Sequence, residues 1–205
     1  MDKRIEKVMH GLEKNRMKPY FVESRQELHD LVRSLVKNDR LITSGGSMSL
    51  AESGVKDLLM TEFSDAYLDR SAAKTPEEAG EIMRRAFSSD TFFASTNALT
   101  EDGELYNVDG NGNRVSAMIF GPKQVVLIVG VNKIVKDMSE AVRRVETVAA
   151  PKNTVRLNCA TPCAKTGECA HCFSERRVCC SYVKLAFQRV PDRIKVIIVN
   201  EPLGY

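Results

Sequence analysis

Six cysteines lie within the last quarter of this 205-residue chain, and their spacing is its sharpest chemical signal. Cys169 and Cys172 form a Cys-x-x-Cys pair, whose two intervening residues let both thiolates turn toward one ion. With one further cysteine on each side, four thiolates are enough for tetrahedral zinc or a four-iron cluster, although neither standard ferredoxin spacing is met. The candidate metal ligands are therefore Cys163, Cys169, Cys172 and Cys179.

Two other interpretations of these cysteines stay open. They could be buried free thiols, or the pair could be a redox-active Cys-x-x-Cys of the thioredoxin type, which should sit at a helix start beside a strand. His171 is a spare ligand, and Cys159 or Cys180 could substitute for one of the four. The cysteine-rich insertion, residues 158–180, has few large apolar side chains, so it can bury little surface to offset the entropy of ordering it. We therefore expect a metal centre to order this insertion.

A second group of candidate residues is the turn Ser44–Ser49, which lies between a predicted strand at Arg40–Thr43 and a predicted helix. A glycine turn from strand to helix leaves unpaired N–H groups at the helix start, and the helix dipole favours negative charge there. The candidate anion ligands in it are Gly45, Gly46 and Ser47. The turn matches neither the Gly-x-Gly-x-x-Gly of dinucleotide folds nor a P-loop, so the chain has no nucleotide cofactor motif. The alternative is a tight turn whose helix is capped by Ser49–Glu52.

The stretch from Thr91 to Val135 is the third candidate region, because polar residues and glycines at its centre interrupt any hydrophobic period. Loops beside buried strands are where α/β proteins place their sites. Arg114 is expected to hold a carboxylate or phosphate through its planar fork, the alternative being an ion pair with Asp109 or Glu104. Because the candidates follow presumed strand ends, we expect one pocket for a small anionic metabolite to include Gly45, Gly46, Ser47, Asn97, Glu101, Asp109, Asn113 and Arg114.

Strand and helix patterns alternate from Tyr20 to Ala150, which predicts an α/β fold with an open, mainly parallel sheet flanked by helices. The apolar run Val125–Val131 fits a strand buried on both faces, and Glu101–Gly103 is a hairpin-type turn. Tyr182–Gln188 and Ile194–Val199 are expected to form a hairpin-like pair. Capping residues ahead of periodic apolar residues predict helices that follow Ser24, Thr75 and Asp137.

The composition favours a single domain over residues 1–205, with the cysteine-rich insertion inside it. At 43% hydrophobic the chain can form one sizeable core, whereas two domains would leave one half poorly packed. The net charge of +3, from 30 basic and 27 acidic residues, gives no argument for binding nucleic acid. No segment has the length and purity to span a membrane, and the N-terminus has no apolar signal core. We therefore expect a cytoplasmic protein, in which clustered cysteines favour a metal or redox site over disulfides.

Three motifs resemble those of the lactate-utilisation (LUD) domain family: STNALTEDGEL at 95–105, VDGNGNR at 108–114 and GVNKIV at 130–135. The resemblance extends from Ile5 to Tyr205, and the run TPCAKTG at 161–167, with the cysteines after it, is similar to a branch of small, stand-alone LUD proteins. It implies the NagB/RpiA/CoA-transferase fold, an open α/β sheet, and a role beside iron–sulfur partner proteins in oxidising L-lactate to pyruvate. It also aligns Glu101 with the glutamate of a Glu-Thr-Gly turn in LUD members, with Asp102 replacing the threonine.

Three functions are compatible with these features. The first is support of lactate or related organic-acid metabolism through the anion pocket. The second is a metal-dependent accessory or electron-transfer protein, in which the cysteine loop is the working part. The third is acyl or CoA transfer with Glu101 as the catalytic nucleophile. A helical stripe near the N-terminus could pack on the domain or on a second subunit, which would make a homo-oligomer: Ile5, Val8, Met9 and Leu12.

Overall fold

A computed structural model describes residues 2–205 and shows a six-stranded parallel sheet at the centre of the protein. Its strands are β1 (Lys18–Val22), β2 (Ile42–Ser44), β3 (Tyr67–Leu68), β4 (Thr91–Ala94), β7 (Gln124–Gly130) and β10 (Ile194–Val199). Their order across the sheet is β1-β10-β7-β4-β2-β3. The predicted α/β fold with an open, parallel sheet is therefore confirmed.

A second, smaller sheet of mixed direction packs beside the first. Its strands are β5 (Ala98–Thr100), β6 (Leu105–Asp109), β8 (Ile134–Val135) and β9 (Ser181–Leu185), in the order β8-β5-β6-β9. The predicted turn at Glu101–Gly103 joins the antiparallel strands β5 and β6, and Gly103 has the positive φ of 77° that this turn requires. A Cβ atom at Gly103 would lie 2.3 Å from backbone atoms of Gly11 and Leu12, so the close approach of helix and turn also depends on glycine.

The predicted hairpin between Tyr182–Gln188 and Ile194–Val199 is wrong. The first segment contributes β9, which pairs antiparallel with β6, whereas β10 lies in the main sheet between β1 and β7. The physical reason is burial: consecutive residues of β10 from Val196 to Val199 are all buried, as a strand covered on both faces requires, while β9 alternates between half-buried and exposed residues.

Helices cover both faces of the main sheet. On one face lie α1 (Lys3–Lys14) and α6 (Asn113–Ile119), and on the other lie α2 (Arg25–Val36), α3 (Met48–Glu52) and α4 (Val55–Glu62). Along β7 the side chains alternate, so that Leu127 packs with the first group and Ile128 with the second, both fully buried. The remaining helices are α5 (Pro76–Arg85), α7 (Met138–Arg144), α8 (Ala150–Arg156) and α9 (Pro162–Thr166).

The helix starts follow the capping predictions with one exception. Ser24, Thr75 and Asp137 each accept a backbone N–H of the first turn of α2, α5 and α7. The cap of α3 is Ser47 and not Ser49: Ser47 keeps the extended backbone of a cap residue and accepts from the Leu50 N–H at 3.3 Å. Ser49 is buried inside α3. No helix within residues 2–205 combines the length and apolar character needed to cross a membrane.

Candidate functional site

A cavity of about 520 Å³ opens at the carboxyl edge of the main sheet. It is bordered by the turn after β2, by Ser95–Asn97 after β4, and by Lys133, which follows β7 in a 3₁₀ turn. Further walls come from α6, from a π-helical turn at Val145–Ala149 that joins α7 to α8, and from the cysteine-rich insertion. In open α/β sheets this edge is where ligands bind.

Most of the predicted ligand-binding residues meet at this cavity. Its lining includes Gly46, Ser47, Asn97, Asp109, Asn113 and Arg114. Gly45 lies just beneath, since a Cβ atom there would come within 3.3 Å of both Arg114 Cγ and Phe92 Cζ. The side chain of Arg114 therefore packs over this glycine, and the roles of all seven residues in binding stay predictions.

Arg114 is held by acceptors within the protein. Its Nη1 donates to Ser95 O at 2.9 Å and to Asn107 Oδ1 at 2.6 Å, and its Nη2 donates to Asn97 Oδ1 at 3.0 Å and to Val108 O at 2.9 Å. Its Nε lies 3.6 Å from Asp109 Oδ2, the ion pair that the sequence offered as an alternative. Burial lowers the pKa of Arg114 from its usual value, and the Asp109 carboxylate acts in the opposite sense. All four terminal N–H groups thus have partners, so Arg114 positions the cavity wall.

Three cationic side chains donate hydrogen bonds to neutral acceptors of the turn Ser95–Asn97. Arg114 donates to Ser95 O, and Arg144 Nη1 donates to Asn97 O at 2.6 Å. Between them, Lys133 Nζ donates to Ser95 Oγ at 3.1 Å and to Thr96 O at 3.3 Å. Within residues 2–205, no carboxylate lies within 4 Å of the Lys133 amine. Among residues 2–205, the carboxylate that pairs with one of these three cations is Asp109, beside Arg114, so positive charge remains in excess at this turn.

Lys133 is only 3% exposed, and its surroundings disfavour its charged form. Burial, followed by the positive charges of Arg144 and Arg114, lowers its pKa to about 7, while Glu52 opposes the shift. Near neutral pH the amine is therefore divided between its charged and neutral forms.

Three further arginines line the outer part of the cavity, and they too are held by neutral groups. Arg70 donates to Met83 Sδ at 3.7 Å, and Arg156 donates to Tyr205 Oη at 2.6 Å. Arg177 donates to the Cys172 carbonyl at 2.7 Å and to a tyrosine hydroxyl. Against the five cationic lining residues stand two acidic ones, Asp109 and Glu175, so the cavity carries excess positive charge.

Glu101 does not share this cavity, so the expected placement was wrong. It lies at the far end of β5, a strand that carries the chain roughly 10 Å away from Asn97. There its carboxylate accepts from Arg4 Nε and Lys7 Nζ, both at 3.0 Å. The hydrogen bond from Lys7, followed by that from Arg4, lowers the pKa of Glu101 despite some burial. As a catalytic nucleophile Glu101 stays a prediction.

The four candidate cysteines do not converge in this structure. Cys163 is buried beside α8, with its Sγ 3.4 Å from Thr161 Oγ1 and 3.6 Å from Thr154 Oγ1, whereas Cys169, Cys172 and Cys179 are half-buried. Nowhere in residues 2–205 do three or more His, Cys, Asp or Glu side chains meet in a group that could hold a metal ion. Cys163 lies on α9, which packs against α8. These positions do not fit a four-thiolate centre, which stays a prediction from spacing.

The cysteine-rich insertion instead forms one wall of the cavity. Four of its residues line the cavity: Glu175, Arg177, Val178 and Cys180. Backbone hydrogen bonds attach it to the rest of the protein, from Cys169 N to Glu146 O and from Cys180 N to Asp109 O, both at 3.0 Å. Hydrogen bonds from Ser174, and to a lesser extent the charge of Arg177, lower the pKa of the Cys172 thiol. The insertion is thus a structural part of the cavity wall.

Five basic residues at or beside the cavity were not among the predicted site residues. Arg70, Lys133, Arg156 and Arg177 line the cavity, and Arg144 donates to the adjacent turn. The helical pattern could have indicated Arg144, because this residue lies three residues after Ala141 and thus on the buried face of α7. Lys133 could have been noticed as a charged residue three positions after the end of the largely buried strand β7.

Comparisons with known proteins agree with this architecture. The crystal structure of a DUF162 family protein from Deinococcus radiodurans is similar with a TM-score of 0.53 and 15% identity, covering 97% of this chain and 99% of that one. At this identity the likeness supports the fold alone. No curated protein matches the chain. The family model of the LUD domain matches residues 5–199. This match spans nearly the whole chain, which therefore belongs to the LUD domain family, with a lactate-utilisation-related role at the level of the family.

Proposed function

We propose that the protein binds a small organic anion, lactate or a related organic acid, in the cavity at the carboxyl edge of the main sheet. One observation carries the proposal: four cationic residues that line the cavity have no carboxylate within 4 Å among residues 2–205. These residues are Arg70, Lys133, Arg156 and Arg177.

The energetic argument starts from the cost of taking a charge out of water without a counterion, which is several kcal/mol per ion in real proteins. Lys133 carries this cost most directly, because it is the most buried of the four. A carboxylate in the cavity would supply the missing charge and accept hydrogen bonds from the amine and the guanidinium groups. A cationic ligand would meet repulsion at the same place.

The cavity size fits this class of ligand. A volume of about 520 Å³ lies in the range of roughly 300–1,000 Å³ that is common for small-molecule sites, and it admits organic acids larger than lactate. The other two functions lack such support. Acyl transfer through Glu101 would require that residue near the ligand, and the half-buried cysteines do not gather around one point.

Arg70 offers the cleanest test of anion binding, because its side chain bonds only weakly, to a sulfur atom. Titration calorimetry with lactate, pyruvate and dicarboxylic acids would identify a binding acid. Arg70→Gln is then expected to weaken its binding about 10- to 100-fold, the value of a hydrogen bond to a charged group. Arg85→Gln is the matched control, since this substitution changes the net charge by the same amount. Arg85 is exposed and lies outside the cavity.

Two results would contradict the proposal. One is that no organic acid binds to the folded protein at millimolar concentration. The other is that Arg70→Gln and Arg85→Gln weaken binding equally, which would indicate a general effect of net charge and not a site at the cavity.

A further inference from the structure

The amine of Lys133 is placed to act as a nucleophile. We propose that Lys133 condenses with the carbonyl group of a 2-oxo acid bound in the cavity and forms an imine with it. This inference rests on the proposed function, because it adds a covalent step and a ligand class to the same anion site.

The geometry supports this step. Lys133 extends from the end of β7, and its Nζ is fixed by Ser95 Oγ and Thr96 O, so the amine is held in one place at the cavity. Two of its hydrogens are used in these bonds. No carboxylate in residues 2–205 is close enough to hold the amine as an ammonium ion by ion pairing.

The neighbouring charges favour the reactive form of the amine. Only the neutral amine has the lone pair that attacks a carbonyl carbon, and a lysine becomes neutral near pH 7 when it is desolvated or placed beside other cations. Both conditions hold here, because Lys133 is buried and the guanidinium groups of Arg114 and Arg144 lie on the same turn. The pKa of about 7 agrees with this geometry.

The same cations indicate the ligand class. Imine formation requires an aldehyde or ketone, while the cavity favours a carboxylate. Arg114 and Arg144 are bonded to the same turn as the Lys133 amine, so their positive charge attracts a ligand carboxylate to the neighbourhood of this amine. The carbonyl that the amine attacks and the carboxylate must therefore lie close together in the ligand. A 2-oxo acid, in which the two groups are adjacent, meets this requirement.

The condensation balances without a redox partner. The lone pair of Nζ adds to the carbonyl carbon and gives a carbinolamine. The carbonyl oxygen then leaves as water with the two hydrogens of the neutral amine, and a carbon–nitrogen double bond remains. Uptake of one proton by the imine nitrogen gives an iminium ion, whose positive charge lies beside the ligand carboxylate.

Reductive trapping tests this inference on the wild-type protein. Pyruvate and cyanoborohydride are added at neutral pH, and the reduced adduct is located by peptide mass spectrometry. Labelling at Lys133 is expected to exceed that at Lys136 at least about 100-fold, because burial and the neighbouring cations lower the pKa of Lys133 to about 7 and so favour its neutral, nucleophilic form. Lys136 is a matched internal control, since it is exposed and lies three residues further along the chain.

Further control experiments distinguish imine formation at Lys133 from simple anion binding. Lactate has neither an aldehyde nor a ketone group and is expected to give no adduct. Lys133→Met is expected to lose the adduct, while Lys136→Met keeps it. If calorimetry shows that pyruvate binds but no adduct forms at Lys133, the imine is refuted and the proposed function stands. If neither pyruvate nor any other organic acid binds, the proposed function fails. An adduct that forms equally well with acetaldehyde would overturn the assignment to 2-oxo acids.

Discussion

The two ends of β5 differ in how far carboxylates of the protein balance the basic side chains beside them. At its far end, Arg4 and Lys7 meet the carboxylate of Glu101, so the charges are compensated within the protein. At its near end, Arg114, Lys133 and Arg144 donate to hydroxyl and carbonyl groups of Ser95–Asn97. Among residues 2–205 only Asp109, beside Arg114, pairs with one of these three cations. A cluster of basic residues therefore indicates a ligand site where the protein supplies fewer carboxylates than cations.

The largest expected effect concerns Arg114, in the cavity wall at the near end of β5. Arg114→Lys is expected to lower the free energy of unfolding by about 3–5 kcal/mol, because lysine cannot reach the four acceptors that Arg114 satisfies in a buried setting. Chemical denaturation would measure the loss, with Arg85→Lys as the exposed control. A variant as stable as the wild type would show that Arg114 is not a structural anchor and would restore it as a candidate ligand-binding residue.

The second effect is a pH dependence of stability that comes from Lys133. Its pKa of about 7 in the folded protein lies below the ordinary value of 10.5, so between these pH values the unfolded chain holds a proton that the folded protein lacks. Raising the pH through this window therefore favours the folded state, with a slope that approaches about 1.4 kcal/mol per pH unit. Lys133→Met is expected to remove this part of the slope.

Urea denaturation of wild type and Lys133→Met at several pH values from 7 to 10 would measure the difference between the two profiles. Charged groups that act on the amine, Arg144, Arg114 and Glu52, are unchanged in the variant. Parallel profiles would mean that the amine has an ordinary pKa, and the distinction between the two ends of β5 would lose its electrostatic basis.

The smallest effect is expected at the far end of β5, where Glu101 pairs with Arg4 and Lys7. Glu101→Gln removes a carboxylate from a partly exposed cluster, so the melting temperature is expected to fall by at most about 2–4 °C, and less at high salt. Organic-acid binding should not change, because Glu101 lies outside the cavity. Thermal unfolding at low and high salt, together with calorimetry, would check both statements. Lost binding with an unchanged melting temperature would instead link Glu101 to the ligand.

The fold was largely predictable because its signals are local. The alternation of Leu127 and Ile128 between two buried faces, and the caps at Ser24 and Thr75, depend on neighbouring residues alone. Strand order depends on residues that are distant in the sequence. The position of β10 between β1 and β7 could therefore not be predicted from the periodicity of β10 itself.

The site was predictable only in part for a related reason. Glycines and polar residues marked Gly46, Asn97 and Asp109 as loop positions at strand ends, and the sheet brought these ends together. No comparable sequence signal identified the basic residues as site residues, since a long side chain such as that of Lys133 can point inward or outward from the same backbone. Whether it finds a carboxylate depends on residues far away in the sequence.

The position of β10 also has a consequence for the synthesis of the protein. Within residues 2–205, β1 pairs with no strand other than β10, and Lys18 is aligned with Lys195. As the chain leaves the ribosome, β1 therefore has no sheet partner until residues 23–193 and then β10 have been made. Until then the neighbouring edge of β7 is also open, and an exposed edge strand can pair with other chains. The nascent protein thus passes through a prolonged stage that is vulnerable to aggregation, which ends when β10 is inserted between β1 and β7.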